Sequence, residues 1–317
     1  MQKVLEKKEL DNFINSLMKK NKVIAPVKKD VTKFDIIRNP EEIYLKEITL
    51  IPLKQFFMPD DETIFKFEKE KIKENTSEKE KTIIFGARKC DLNALQILDK
   101  VMFDSEFVKK RKNVILIGFY CENPDNYCFC NSMELKDYFD LFFYPHEDKY
   151  YISVGTEKGL AIVKSLPNAK KEIKKEILNS KALRNKEIER NYRNKIWESD
   201  AEKCLSCSAC TVNCPTCNCF DIEDKLNIDL KSGERKKSQM SCQLKSFSRV
   251  AGGKIFRETR LGRFKHFVYH KIVYYRKKFG RYMCVGCGRC LRICPTKIDW
   301  VETINLLKDE EDIKKVK

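Results

Sequence analysis

Several kinds of feature are scarce or missing in this chain, and each shortage excludes a class of function. No apolar run approaches the ~20 residues needed to cross a bilayer, so insertion into a membrane is not expected. The first residues, Met1-Gln-Lys-Val-Leu-Glu-Lys-Lys-Glu9, are charged and lack the apolar centre of a secretory signal. Neither a P-loop nor a G-x-G-x-x-G run occurs, so the chain is not expected to bind a nucleotide by itself. Histidine is limited to His146, His266 and His270, and no nucleophile–base pair stands out. His266 and His270 lie one helical turn apart on one face, a spacing that permits metal ligation; a hydrogen-bonded surface role is the expectation. No nucleic-acid-binding module is recognisable, so a nucleic-acid partner is not expected.

Cysteine, in contrast, is abundant, with 15 residues. Without a secretory signal, that count implies a reducing cytosol and metal ligation rather than cross-links. Eight of them form two copies of C-x2-C-x2-C-x3-C-P, the run that ligates [4Fe–4S] cubanes in bacterial two-cluster ferredoxins. The first is Cys204-Leu-Ser-Cys207-Ser-Ala-Cys210-Thr-Val-Asn-Cys214-Pro215, and the second is Cys284-Val-Gly-Cys287-Gly-Arg-Cys290-Leu-Arg-Ile-Cys294-Pro295. Two-residue spacers let three thiolates wrap one face of a cube while backbone N–H groups point at its sulfides. The fourth cysteine of such a run serves the other cluster. The expected ligand sets are therefore Cys204, Cys207, Cys210 and Cys294 for one cluster, and Cys284, Cys287, Cys290 and Cys214 for the other. Structural zinc prefers two spaced pairs and fits less well.

The formal net charge is +17. Two oxidised clusters with their thiolates would lower this to roughly +13. The surplus suits a Lys-rich, solvated surface, with an acidic redox partner as the next reading.

Along the chain, residues 1–22 read as helical, with Leu10, Phe13, Ile14 and Leu17 on one face. Thr82–Gly86, Asn113–Tyr120 and Tyr150–Val154 read as strands, the second apolar on both faces as in a covered parallel sheet. Asp91 and Asp104 are candidate helix caps. The fold class is thus an α/β domain over residues 1–165, a charged helical linker over 166–196, and an alpha-helical ferredoxin-type domain over 197–317. Arg260–Arg281 reads as one long basic helix whose aromatics pack. The charged tail after Leu307 is expected to fray.

Cys90 and Cys121 follow successive strands and should share a carboxyl edge, where α/β folds build sites. Cys128 and Cys130 follow in the next loop. Together these four could ligate a third cluster; the alternative is free buried thiols that behave as small hydrophobes. Cys217, Cys219 and Cys242 receive no assignment.

These residues carry a family resemblance over nearly the whole length. It includes Pro52-Leu-Lys-Gln-Phe-Phe57, Glu62, Phe65-Lys-Phe67, Phe85-Gly-Ala-Arg-Lys-Cys-Asp-Leu92, Cys121, and Cys128-Phe-Cys-Asn-Ser-Met133. It continues through Cys214-Pro-Thr-Cys-Asn-Cys-Phe-Asp221, Ser241-Cys242, Ala251-Gly-Gly253, Phe256-Arg257 and Cys284-Val-Gly-Cys-Gly-Arg-Cys290. The chain resembles the beta subunit of cytosolic sulfhydrogenases and the closely related iron–sulfur subunit of anaerobic sulfite reductase. The resemblance implies an α/β domain joined to an alpha-helical ferredoxin domain. It also implies electron transfer between a flavin subunit that handles NAD(P)H and a catalytic subunit, either a nickel–iron hydrogenase or a sulfite reductase. Gln239 and Met240 depart from the family, which often has an aromatic residue and an aspartate there. Two competing readings are a self-contained reductase with its substrate at the N-terminal cysteines and a basic nucleic-acid binder with structural clusters.

Overall fold

The protein is described by a computed structural model that covers residues 1–69, 71–74 and 81–307. The tail beyond Leu307, expected to fray, lies outside the described residues. The chain divides into two compact units, each assembled from separated segments: residues 1–125, 135–178 and 222–238 in one, and 126–134, 179–221 and 239–317 in the other.

The first unit holds β1 (Gln2–Glu6), α1 (Leu10–Met18), β2 (Lys22–Lys28), β3 (Thr32–Ile36), β4 (Asp61–Glu68), β5 (Lys71–Glu74) and β6 (Thr82–Ala87). It continues with α2 (Lys89–Leu98), α3 (Ser105–Lys112), β7 (Val114–Phe119), β8 (Leu141–His146), β9 (Lys149–Val154), α4 (Glu157–Val163), β10 (Phe220–Leu226) and β11 (Ser232–Gln239). Seven strands form one mixed sheet in the order β1-β9-β8-β7-β6-β2-β3. Its centre, β2, β6, β7 and β8, is parallel; β3 and β9 run antiparallel to it at the flanks, and β1 pairs antiparallel with β9 at the edge. Alternation along the central strands loads both faces. Ile84, Leu116, Phe142 and Tyr144 pack with Leu92, Leu95 and Leu98 of α2 in one cluster. Ile83, Phe85, Ile117, Phe119, Leu141 and Phe143 pack with Ile14 and Leu17 of α1 in the other. That is the pattern of a sheet covered on both sides. A second sheet has the order β10-β11-β4-β5.

Several expectations need correction. Residues 1–22 are not one helix: Gln2–Glu6 pairs with β9 as an antiparallel edge strand, and only Leu10–Met18 is α-helical. The predicted face survives, with Ile14 and Leu17 buried. Asp91 caps α2 from inside its first turn rather than ahead of it: the helix starts two residues earlier, and the Asp91 carboxylate accepts the Arg88 amide at 3.3 Å. Asp104 does cap α3, accepting the Phe107 amide at 3.0 Å. The stretch 166–196 is not a helical connector. It carries one isolated bridge at Asn168 and a 3-10 turn at Glu189–Arg193, and α-helix resumes only at Ile196. Its charges leave no continuous apolar stripe for a helix to bury. Separate side chains dock instead, with Leu183 and Ile188 buried. The insertion between the cysteine runs holds the β10–β11 hairpin, whose turn is closed by Asp229 accepting the Lys231 and Ser232 amides at 3.0 Å.

The second unit contains α5 (Ile196–Lys203), α6 (Ala209–Val212), α7 (Arg260–Tyr269), a π-helical segment His270–Tyr274, α8 (Tyr275–Phe279), α9 (Arg289–Ile293) and α10 (Trp300–Asn305). The expected long basic helix is thus present as α7, the π segment and α8 in succession. Gly280, at φ +69°, ends it in the left-handed conformation common at helix C-termini.

Candidate iron–sulfur centre

Both cysteine runs fold by the same local rule. In each, the residues two and four places after the first cysteine take positive φ: Ser206 (52°) and Ser208 (69°) in one, Gly286 (65°) and Gly288 (71°) in the other. These turns curl the loop so that the amide two residues on faces the first sulfur. Ser206 N donates to Cys204 Sγ, and Gly286 N to Cys284 Sγ, each at 3.4 Å. Short helices α6 and α9 then carry Cys210 and Cys290. The threonine two places after the fourth cysteine meets its sulfur in both copies, Thr216 Oγ1 at 3.2 Å from Cys214 and Thr296 Oγ1 at 3.5 Å from Cys294.

The two loops line two pockets, and the fourth cysteines are exchanged between them. One pocket, open to solvent on one side, is lined by Cys204, Cys207, Cys210 and Cys294, with Phe264, Phe267, Ile298 and Trp300 as apolar wall. Cys290 also borders it. The other is lined by Cys284, Cys287, Cys290 and Cys214, together with Phe129, Pro215 and Lys271. A cubane takes each thiolate on a different iron, so its ligands surround a volume rather than converge on a point.

The electrostatics fit a cationic metal core. Burial, then the neighbouring Cys204 and Cys214, push the Cys210 thiol up to about 12. Burial likewise pushes Cys284 up to about 12, with Cys287 and Cys214 adding to it against Lys271. Cys290 is driven well above the usual thiol range by burial, then by Cys284 and Cys287. Thiols crowded in an apolar pocket resist ionisation until a positive body sits among them. Iron would supply it and displace the protons.

The two loops differ in cover. Leu205 is 63% exposed and Cys207 is exposed, whereas the equivalent Val285 and Cys287 are buried. Tyr127–Cys130 supplies the cover: Phe129 N donates to Gly286 O at 2.8 Å, and the Cys128 thiol faces Cys287 O at 3.7 Å. Phe129 also meets Trp300 edge-on at 5.7 Å. The Trp300 indole in turn donates to Cys290 Sγ at 3.4 Å. Of the four N-terminal cysteines, Cys128 and Cys130 therefore fold in the second unit, while Cys90 and Cys121 lie in the first. Those two share the carboxyl edge of the parallel neighbours β6 and β7, and both are buried.

Sequence reasoning missed Lys271. It lies in the π segment, is 2% exposed, and donates to Cys214 Sγ at 3.1 Å, Cys217 Sγ at 3.2 Å and Thr216 Oγ1 at 3.3 Å. Burial alone would depress its ammonium, but Cys214, Cys217 and Cys284 outweigh burial and hold it well above the usual lysine range. A signal existed: Lys271 stands four residues after Phe267 and four before Tyr275, on the apolar stripe of a basic helix. Arg263, also unflagged, ties α7 to the first loop through Ser206 Oγ at 3.3 Å and donates to Gln243 O in the insertion at 2.8 Å. Of the unassigned cysteines, Cys217 accepts from Lys271. Cys242 is hydrogen-bonded to Cys219, which with burial pushes the Cys242 thiol up.

His266 and His270 stack ring on ring at 5.4 Å, both half-buried. Among the described residues, no helix is long and apolar enough to cross a membrane.

Residues 203–298 match the family described as a 4Fe-4S dicluster domain. The chain is also 33% identical, over 323 aligned positions, to sulfhydrogenase 2 subunit beta of Pyrococcus furiosus, covering 94% of this chain and 95% of that one. No solved structure matches the chain. The chain therefore belongs to the sulfhydrogenase beta subunit family and carries a 4Fe-4S dicluster domain.

Proposed function

We propose that this chain is the iron–sulfur electron-transfer subunit of a multisubunit oxidoreductase, relaying electrons between an NAD(P)H-linked flavoprotein and a catalytic subunit. The catalytic subunit would be a nickel–iron hydrogenase or an anaerobic sulfite reductase, and the likeness to a sulfhydrogenase beta subunit favours the first. The observation that carries the reading is the pair of thiol-lined pockets with their fourth cysteines exchanged. Cys204, Cys207, Cys210 and Cys294 would hold one [4Fe–4S] cluster, and Cys284, Cys287, Cys290 and Cys214 the other. When bound, such clusters act as one-electron carriers with potentials spanning roughly −700 to +450 mV.

The chain's own residues set the conditions. Thiolates hold iron, and the Ser206 and Gly286 amides and the Trp300 indole direct N–H groups at sulfur. Phe264, Phe267, Ile298 and Trp300 form an apolar wall on the first pocket. The exposed edge at Leu205 and Cys207 offers a face for exchange with a partner, while the second loop lies beneath Tyr127–Cys130.

Anaerobic visible spectroscopy tests the role. NADH or NADPH alone should leave the cluster absorption of the purified chain unchanged, and a trace of the flavin subunit should bleach it. Bleaching without a flavoprotein, or turnover of sulfite by the chain alone with reduced viologen, would contradict the proposal.

A further inference from the structure

We propose that Lys271 sets the reduction potential of the cluster on Cys284, Cys287, Cys290 and Cys214, raising it so that this cluster is the first to be reduced. The inference rests on the ligand sets of the proposed function. The two sites repeat each other at the positive-φ turns, the amide-to-sulfur hydrogen bonds and the Cys-Pro-Thr corner, but they differ at the fourth cysteine. Cys294 Sγ accepts the Ile298 amide at 3.4 Å beside Thr296, whereas Cys214 Sγ accepts a buried ammonium at 3.1 Å.

Adding an electron to a site that already carries about −2 is opposed by its own charge. A cation a few ångströms away, shielded from water, offsets that repulsion far more than a surface lysine could. The hydrogen bond to sulfur acts in the same direction, because it stabilises the more electron-rich state. The backbone holds the lysine there: the Lys271 carbonyl accepts the Met283 amide at 2.9 Å, tying the π segment to the residue just before Cys284. Cys217 acts as a second acceptor at 3.2 Å and keeps the ammonium aimed at the pocket. Lys271 is thus a positioning residue that works through Cys214.

The test is an EPR-monitored redox titration of the full chain, anaerobically reconstituted, as wild type, Lys271→Met, Lys271→Gln and Lys271→Arg. The affected cluster is identified as the signal lost in Cys287→Ser. In the neutral variants, its reduced-to-oxidised ratio at the wild-type midpoint should fall about tenfold, equal to about 59 mV for a one-electron couple. The other cluster should move less, and Lys271→Arg should restore most of the shift. Full iron content with an unmoved potential in a neutral variant would overturn the inference and leave the ligand assignment intact. Loss of that cluster from both neutral variants would also overturn it, because the lysine would then build the site rather than tune it. If the wild type shows no signal that depends on both Cys287 and Cys214, the underlying assignment itself fails.

Discussion

His266 and His270 provide a check on the local environment that does not involve iron. Burial first, then Arg257 and Lys271, lower His266 to about 4; burial first, then Lys271 and His266, lower His270 to about 4. A histidine whose folded value lies below its unfolded value of about 6.5 binds its proton more readily in the unfolded chain. Its contribution to stability is therefore intact above about pH 6.5 and is lost as the pH falls toward 4. The apoprotein should lose roughly 1–3 kcal/mol across that window, after allowance for partial exposure. His266→Gln or His270→Gln should flatten the dependence of the urea midpoint on pH; an unchanged slope in both would mean that the rings titrate normally. The cysteines that line the two pockets were legible because each run is local and repeats the spacing that wraps a [4Fe–4S] cube. Lys271 was not, because one lysine in the basic stretch 260–281 looks like any other until the helical phase places it on the buried face.

At the scale of elements, the two cysteine loops share a backbone but differ in the residues at its left-handed positions. Serine at φ 69° carries strain that glycine does not, so Ser208→Gly should stabilise the apoprotein by about 1 kcal/mol. The opposite change is more severe. A Cβ at Gly288 would meet the Tyr127 carbonyl carbon and oxygen at 2.6 Å, in addition to the positive φ. Gly288→Ala should therefore displace Tyr127–Cys130 and lower the iron retained at the second site, read as iron per chain after gel filtration; full retention would contradict the packing. Strands β6, β7 and β9 were legible from short apolar runs between turn signals. The strand β1, the hairpin β10–β11 and the linker were not, since their conformations come from pairing and docking with distant segments rather than from their own periodicity. Sequence order groups Cys128 and Cys130 with Cys90 and Cys121, yet they fold against Gly286 and Cys287 in the other unit.

For the whole molecule, the proposed exchange of fourth cysteines would make each cluster depend on two segments some 80 residues apart in sequence. Cys214→Ser should therefore reproduce the loss seen in Cys287→Ser, and Cys294→Ser that seen in Cys207→Ser, as judged by which EPR signal disappears. If Cys214→Ser instead matched Cys207→Ser, each run would hold its own cluster. The most direct test of the account is the metal content of anaerobically reconstituted protein, determined with Mössbauer spectroscopy of iron-57 samples. The prediction is about eight irons per chain, all in [4Fe–4S] form. About four irons per chain, or zinc in the thiol pockets, would contradict it.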